Sequence, residues 1–218
     1  MSFMKILAIN GSPRRKANTA TLLNDVLEGV KSKHPEAETR LVHLYDLNFT
    51  GCRSCFACKL KGGASYGKCA VKDDIAPLLS EIGEDTDALV FGSPIYFGDI
   101  TGELRSFLER LLFQWYVYDK ARSTIAPRKI PTAFIYTMGL NDEMMRKMAY
   151  PEFLGRMEGY LERVFTKPRT LYVTDTWQFD DYAKYESSLF DPVAKKKRLD
   201  EHFPLDREAA RNIGSELL

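Results

Sequence analysis

The chain has 218 residues, of which 44% are hydrophobic and 28% are charged, and its formal net charge at pH 7 is +1. This length and composition are typical of one globular domain with a sizeable core. The balanced charge gives no electrostatic reason to expect nucleic acid or an anionic membrane as the main partner. The charge balance therefore favours a small-molecule ligand. No stretch approaches the about eighteen apolar residues of a membrane span.

The first predicted elements are a buried strand, a tight loop and a helix. Residues 6–9 are continuously apolar and stop at the Asn-Gly-Ser-Pro sequence of residues 10–13. A strand buried on both faces and followed by a loop has this pattern. Asn18 stands at the expected N-cap of a helix. The helix is predicted from apolar residues at helical spacing, which are Leu22, Leu23, Val26, Leu27 and Val30.

The loop between this strand and helix has the composition of an anion site. It carries hydroxyls, an amide and three cations, on Ser12, Arg14, Arg15, Lys16, Asn18, Thr19 and Thr21. Free backbone N–H groups at a helix N-terminus attract anions, and phosphate is the usual one. The loop sequence matches neither the nucleoside-triphosphate motif G-x-x-x-x-G-K-[ST] nor the dinucleotide motif G-x-G-x-x-G. A hydroxyl-rich loop suits the terminal phosphate of a mononucleotide such as FMN better than a bridging pyrophosphate. The alternative is a basic surface loop ahead of a capped helix.

The middle of the chain continues the alternation of strands and helices. A second strand is predicted over residues 41–44, and the long stretch from 45 to 73, rich in Cys, Gly and Lys, is predicted to be a functional loop. Asp73 and Asp74 are expected in the first turn of the next helix. A third strand over residues 88–91 ends in the loop 92–98, and a helix with Leu104, Phe107, Leu108, Leu111 and Leu112 on one face follows.

The remaining elements complete an α/β pattern. Strands are predicted at residues 130–136 and 171–173, and helices at 153–165 and 207–218. Because the strand runs are apolar throughout and alternate with helices, we expect a doubly wound five-stranded parallel sheet with helices on both faces. Such sheets bind ligands at the carboxyl ends of their strands, flavodoxin with FMN being a known instance.

Four segments together resemble the NAD(P)H-dependent FMN reductase and iron–sulfur flavoprotein group of the flavodoxin-like superfamily. They are residues 11–20, 51–58, 69–74 and 93–104. The resemblance implies that the first loop holds the FMN phosphate, that the loop after the third strand lines the isoalloxazine, and that the loop after the fourth strand borders the site. The implied cofactor-binding residues are Ser12, Arg14, Asn18, Thr19, Ala20, Pro94, Ile95, Tyr96, Phe97, Gly98, Thr137, Met138 and Gly139.

The four cysteines lie close together in the sequence. Cys52, Cys55, Cys58 and Cys69 resemble the motif of iron–sulfur flavoproteins, whose thiolates hold a [4Fe–4S] cluster. The segment 59–68 makes the last gap longer than that motif normally has, so a cluster is not favoured, and zinc is favoured less. The alternative for this loop is to cover the flavin or to make subunit contacts.

The other conspicuous residues carry weaker signals. His34, His43 and His202 show no spacing of metal ligands, and the basic run 195–198 is interpreted as a solvated charge cluster. The aromatic residues of 115–118 and 177–190 are expected either in the core or in an arm that packs on a second subunit. The relatives implied by the resemblance are usually dimers or larger, so we expect a homodimer or homotetramer.

The predicted function is an FMN-dependent oxidoreductase that takes hydride from NAD(P)H and passes electrons to a quinone, a flavin or another small acceptor. The alternative is an electron-transfer protein of the flavodoxin or iron–sulfur flavoprotein type. Flavodoxin carriers are strongly acidic whereas this chain is balanced, which favours the enzyme. No residue constellation marks a nucleophile or an acid–base pair, so no catalytic side chain is predicted and the chemistry is assigned to the cofactor.

We further expect residues 1–218 to form a single FMN-binding domain, with a cysteine-containing loop at about 46–73 and a C-terminal extension at about 175–218. Residues 1–9 carry too short an apolar run for a secretory signal. The clustered cysteines suit a reducing compartment, so a cytoplasmic protein is predicted.

Overall fold

The computed structural model describes residues 4–218, so the first three residues of the predicted domain and of the segment 1–9 lie outside it. Its strands are β1 Lys5–Asn10, β2 Glu38–His43, β3 Ala88–Tyr96, β4 Asp99–Ile100, β5 Thr132–Thr137 and β6 Arg169–Val173. Its helices are α1 Asn18–Lys33, α2 Ala76–Glu84, α3 Gly102–Phe113, α4 Asp142–Lys147, α5 Tyr150–Val164, α6 Pro192–Glu201 and α7 Phe203–Ser215. Short 3₁₀ turns occur at 44–46, 57–59 and 182–184.

Five of these strands form the predicted parallel sheet. Their order is β2-β1-β3-β5-β6, and every pairing along this path is parallel. Counting the parallel strands alone, this is the order 2-1-3-4-5 of flavodoxin-like folds. The predicted fold class is therefore confirmed.

The structure adds one strand that the sequence pattern does not predict. The two-residue β4 pairs antiparallel with the end of β3, with Ile95 opposite Ile100 and Tyr96 opposite Asp99. The turn between them is formed by Phe97 and Gly98, whose φ angles of 52° and 84° lie in the left-handed region that two-residue hairpin turns require. A two-residue strand is too short to show alternating apolar and polar residues, so its sequence predicts an irregular loop.

Apolar side chains cover both faces of the sheet. One buried cluster joins the sheet to α1 and α7 through residues such as Leu23, Val26 and Ala210. The other joins it to α2, α3 and α5 through residues such as Leu104 and Leu161. Since each layer of helices buries its apolar face on the same sheet, the doubly wound arrangement follows from the continuous apolar runs of the strands.

Helix α7 lies against α1 at unusually short range. A Cβ on Gly214 would come within 1.9 Å of the Val26 carbonyl oxygen, so this position has no room for a side chain. Beside this contact the fully buried Asp25 carboxylate accepts from Arg207 Nε at 2.7 Å and lies 2.5 Å from Arg211 Nη2. A buried carboxylate is stable only when paired, and these pairs tie the C-terminal helix to the first helix.

Two predicted helix starts are wrong. The N-cap of α1 is Ala17 instead of Asn18, which is the first helical residue and donates from Nδ2 to Trp177 O. Helix α2 begins at Ala76, after Asp73 and Asp74. Asp73 instead forms an ion pair with Arg110, and Asp74 Oδ2 accepts from Asn48 N. Asn18, Asp73 and Asp74 therefore make tertiary contacts in place of the cap and first-turn positions that the local pattern predicted.

The predicted pattern also misses α4 and α6. Each begins at a side-chain cap, Asn141 for α4 and Asp191 for α6. Helix α6 contains the basic run 195–198, and Lys195 within it is buried instead of solvated. The prediction that this run is a solvated cluster is therefore wrong for Lys195, because the packing of α6 turns it inward, and Arg198 is partly buried against Asp206.

Candidate functional site

The carboxyl ends of β1, β3 and β5 open into a cleft of about 180 Å³. Loops from these three strands meet there because the strands are neighbours in a parallel sheet. The predicted site residues that line it are Ser12, Arg14, Asn18, Thr19, Pro94, Ile95, Tyr96, Thr137, Met138 and Gly139. The predicted Ala20, Phe97 and Gly98 lie outside this lining. The cleft is also lined by Ala17, Thr176, Trp177, Gln178 and Phe179.

The loop after β1 takes its shape from the buried side chain of Asn10. Asn10 Oδ1 accepts from Ser12 N at 3.0 Å, and Ser12 Oγ in turn accepts from Arg14 N at 3.1 Å. On its other side Asn10 Nδ2 lies 2.8 Å from His43 Nδ1. Burial, together with the nearby Arg15 cation, lowers the pKa of His43 and favours the neutral ring that can accept this bond. Asn10 is not among the predicted site residues, although an amide at the end of a buried strand is a recognisable signal.

The N-terminus of α1 faces the cleft with free N–H groups. The first helical hydrogen bond runs from Thr21 N to Ala17 O, so the N–H groups of Asn18, Thr19 and Ala20 precede it. The N–H group of Ala20 is therefore unpaired within the helix, although Ala20 does not line the cleft. The hydroxyl of Thr19 is engaged elsewhere, 2.8 Å from Thr137 Oγ1, and this buried contact joins α1 to the end of β5.

A wall of the cleft comes from the segment after β6. Asn18 Nδ2 donates to Trp177 O at 2.9 Å, and Arg14 Nη1 donates to Gln178 O at 2.6 Å. A Cβ on Gly139 would come within 2.3 Å of Gln178 Nε2, so the Gln178 side chain lies directly over Gly139. We call residues 174–190 the arm. Its aromatic side chains pack on one another around Tyr182. Of the predicted 177–190 aromatics, Trp177 and Phe179 line the cleft.

The end of β3, which leads into the β3–β4 hairpin, also borders the cleft through Pro94, Ile95 and Tyr96. Tyr96 is half-exposed and Phe97 is fully exposed, with the Phe97 backbone in the left-handed conformation. A large exposed aromatic with a strained backbone is typical of binding loops. Among the described residues that line the cleft, Arg14 is the one charged side chain. The lining therefore combines one cation, amides, hydroxyls and an open apolar edge.

The sequence matches the family model described as NADPH-dependent FMN reductase over residues 4–145. The chain belongs to this FMN reductase family. A relative named iron–sulfur flavoprotein, from Archaeoglobus fulgidus, is 43% identical over 107 residues, which are 49% of this chain and 48% of the relative. Another of that name, from Methanocaldococcus jannaschii, is 33% identical over 107 residues, 49% of this chain and 51% of the relative. The chain spans about half the length of these curated relatives.

Solved structures share the fold of this FMN reductase family member. The NAD(P)H:quinone oxidoreductase from Methanothermobacter marburgensis superposes with a TM-score of 0.72 at 17% identity, and each chain is covered completely. An azoreductase from Bacillus anthracis gives a TM-score of 0.69 at 15% identity, covering 98% of this chain and 100% of the other. At these identities the comparison establishes the fold alone.

The cysteine loop of this FMN reductase family member lies away from the cleft. Cys52, Cys55, Cys58 and Cys69 are free and line one small cavity of about 20 Å³. Arg110, itself buried, donates from Nε to Cys69 Sγ at 3.3 Å. Burial raises the pKa of the Cys58 thiol. Within residues 4–218 no three His, Cys, Asp or Glu side chains are arranged as metal ligands.

The match to the FMN reductase family ends at residue 145, whereas the arm begins at residue 174. The cleft therefore draws its lining from both sides of that limit. In the described part of the chain, none of the helices is long and apolar enough to cross a lipid bilayer.

Proposed function

We propose that the protein is an FMN-dependent oxidoreductase that takes hydride from NAD(P)H and passes electrons to a quinone, a flavin or another small acceptor. The observation that carries the proposal is the composition of the cleft in a member of this family. One end offers free helix N–H groups with Arg14, and the other end is an exposed aromatic hairpin. When bound, FMN supplies the redox chemistry by accepting a hydride.

The phosphate end would be formed by Ser12, Arg14 and Asn18 with the first N–H groups of α1. A helix N-terminus favours negative charge, and a guanidinium adds charge-assisted hydrogen bonds. Arg14 uses one nitrogen for Gln178, which leaves further N–H groups of its fork for a phosphate. Because these donors converge at one helix end, the donor set fits a terminal phosphate.

The ring end would be formed by residues 94–98 and 137–139. Pro94, Ile95 and Met138 supply apolar surface, and the loops bring backbone N–H groups to the same edge of the sheet. The enclosed volume of about 180 Å³ is below the about 300 Å³ of common small-molecule pockets. The rest of the cofactor would therefore extend beyond the enclosed part, where Phe97 and Tyr96 shape the space open to the donor and the acceptor.

No general acid or base is assigned to the reaction. Apart from Arg14, the described lining holds no ionisable group other than the Tyr96 phenol, and hydride transfer to a flavin requires none. The protein then binds the cofactor, orients its ring and limits the access of water. Nicotinamide and acceptor would occupy the same open face in turn, which predicts ping-pong kinetics.

The direct test is stopped-flow mixing of the FMN-loaded protein with NADH and with NADPH. The oxidised flavin absorption should bleach with at least one of them, at a rate that supports steady-state turnover. Bleaching by dithionite or a protein donor alone would overturn the reductase proposal and support the electron carrier. Titration with FMN and FAD is the companion measurement, and equal affinity for both would contradict the assignment of the phosphate end.

An electron-transfer role of the iron–sulfur flavoprotein type is the second candidate. It is favoured by the location of all four cysteines around one cavity, and by the names of the curated relatives. Iron and acid-labile sulfide analysis of anaerobically purified protein tests it. Four iron atoms per chain that are lost in Cys55→Ser would support this candidate, and iron-free protein would exclude it.

The proposal includes one FMN-binding domain over residues 1–218 that acts in the cytoplasm as a homodimer or homotetramer. The α1–α7 contacts support a C-terminal extension that is part of the domain, and the free cysteines support a reducing compartment. Exposed aromatic residues on α5, Phe153 and Tyr160, support subunit contacts. Light scattering after size exclusion measures the assembly, and a monomer would contradict it.

A further inference from the structure

Lys195 is a buried lysine in the basic run 195–198 of α6, where its neighbours Lys196 and Lys197 are exposed. It is 2% exposed, and its Nζ donates to Gly139 O at 2.7 Å and to Thr176 O at 3.3 Å. The same Nζ lies 2.6 Å from Asp175 Oδ1 and 4.5 Å from the centroid of the Phe190 ring. A buried ammonium is costly unless it is paired and hydrogen-bonded. Its three oxygen partners match its three N–H donors, so the position is built for a lysine.

Two of these partners form a sharp turn at the start of the arm. Asp175 has a φ of 53°, a left-handed conformation that residues other than Gly, Asn and Asp rarely adopt. The turn is held against the loop after β5, since Asp175 N donates to Leu140 O at 2.7 Å and Thr176 N donates to Met138 O at 3.0 Å. Lys195 therefore braces this turn on the loop that borders the cleft.

The residues just after this turn reach the phosphate end of the cleft. The carbonyl of Trp177 accepts from Asn18, and the carbonyl of Gln178 accepts from Arg14. Both donors are long or rotatable polar side chains that lose conformational freedom when they bind a ligand. Because their acceptors belong to the braced arm, the position of the arm fixes the orientation of both side chains before a ligand arrives.

We propose that Lys195 is a positioning residue for recognition of the flavin phosphate. It holds the arm so that the Trp177 and Gln178 carbonyls orient Asn18 and Arg14 toward the helix N-terminus. Lys195 itself does not line the cleft, so it acts through these two side chains. The inference rests on the proposed FMN function and deepens it, since it makes selectivity for phosphorylated flavin a property of the C-terminal segment.

The test compares Lys195→Met with Lys196→Met, the matched control. Lys196 is the adjacent residue and is exposed, with Asp200 as its partner. Dissociation constants for FMN and for riboflavin are measured by quenching of flavin fluorescence, and near-UV circular dichroism checks folding. Lys195→Met should reduce the preference for FMN over riboflavin about tenfold, the size of one hydrogen bond to a charged group. The control should retain the preference of the unchanged protein.

A double-mutant cycle separates positioning from general damage. In protein that already carries Arg14→Ala and Asn18→Ala, Lys195→Met should leave the ratio of FMN to riboflavin affinity unchanged. A purely structural role would weaken both flavins alike in either background, and that result would overturn the inference. If Lys195→Met does not fold, Asp175→Asn removes the counter-charge while keeping a residue that tolerates the left-handed turn. It should lower the preference about threefold, and an unchanged preference would overturn the inference.

The two proposals fail in different ways. If the unchanged protein binds FMN no better than riboflavin, the phosphate site itself is wrong and the proposed function fails with it. If the unchanged protein prefers FMN and Lys195→Met keeps that preference, the positioning role alone is wrong.

Discussion

The two sides of the cleft differ in how their sequence relates to their role. Residues 4–145, which match the family, supply the loop after β1 and the segment 94–98, and both segments were recognisable in the sequence. The arm, residues 174–190, carries no motif and yet supplies the carbonyls that hold Arg14 and Asn18. The difference shows that Arg14 and Asn18 are recognisable from local pattern, whereas the orientation of their side chains depends on a distant segment.

The largest expected effect comes from breaking the contact between α1, which belongs to the region that matches the family, and α7, which follows the arm in the chain. Gly214→Val would place Cβ within 1.9 Å of the Val26 carbonyl oxygen, so α7 must move away from α1. The free energy of unfolding should fall by about 3 kcal/mol, the upper end of common overpacking costs. Urea denaturation measures it. Gly159→Val on α5 is the matched control, because nothing lies within 4 Å of its Cβ, and a similar loss there would contradict the argument.

The next effect tests whether the loop after β1 and the start of α1 bind the phosphate, as proposed. Ser12→Ala and Asn18→Ala should each weaken FMN binding by about 1 to 3 kcal/mol through lost hydrogen bonds to a charged group. Riboflavin has no phosphate, so its binding should change much less. Fluorescence titrations of both flavins test this expectation. Equal weakening of FMN and riboflavin binding would show that the phosphate does not bind at this end of the cleft.

A smaller effect concerns His43, which contacts Asn10 and thereby supports the loop after β1. Its pKa is lowered from the usual 6.5, first by burial and then by Arg15, while Asp46 opposes the shift. A lowered histidine pKa means that its contribution to stability is present above pH 6.5 and is lost as pH falls through the folded-state pKa. Proton NMR of the imidazole resonances, assigned with His43→Gln, should show titration below pH 6.5. Titration above that value would contradict the neutral ring that accepts from Asn10.

The smallest expected effect is at the cysteine loop, which belongs to the matched region but lies outside the cleft lining. Cys55 is exposed. Cys55→Ser should leave the FMN dissociation constant within about 0.5 kcal/mol of the unchanged protein, as for most surface substitutions. A larger loss of FMN would show that this loop takes part in flavin binding.

Much of the fold and part of the candidate site were predictable from local pattern. The five parallel strands were recognisable because strands buried on both faces need continuous apolar runs, and the family resemblance is confirmed by the match over residues 4–145. The loops after β1, β3 and β5 do meet at one edge, since carboxyl ends of parallel strands must. The assignment of the thirteen predicted residues to FMN stays a prediction that the flavin titrations test.

The sequence by itself determined the α/β class, the chain order of the five parallel strands and the composition of the loop before α1 and of its first turn, which together are rich in hydroxyls, amides and cations. Only the tertiary structure decided that Lys195 is buried while Lys196 is exposed, that Asp73 pairs with Arg110, and that Trp177 and Gln178 face Asn18 and Arg14. The physical reason is the separation along the chain over which each interaction acts. Periodicity and capping act within a few residues, whereas a buried ammonium or carboxylate is stabilised by whichever partner the packing of distant elements brings to it.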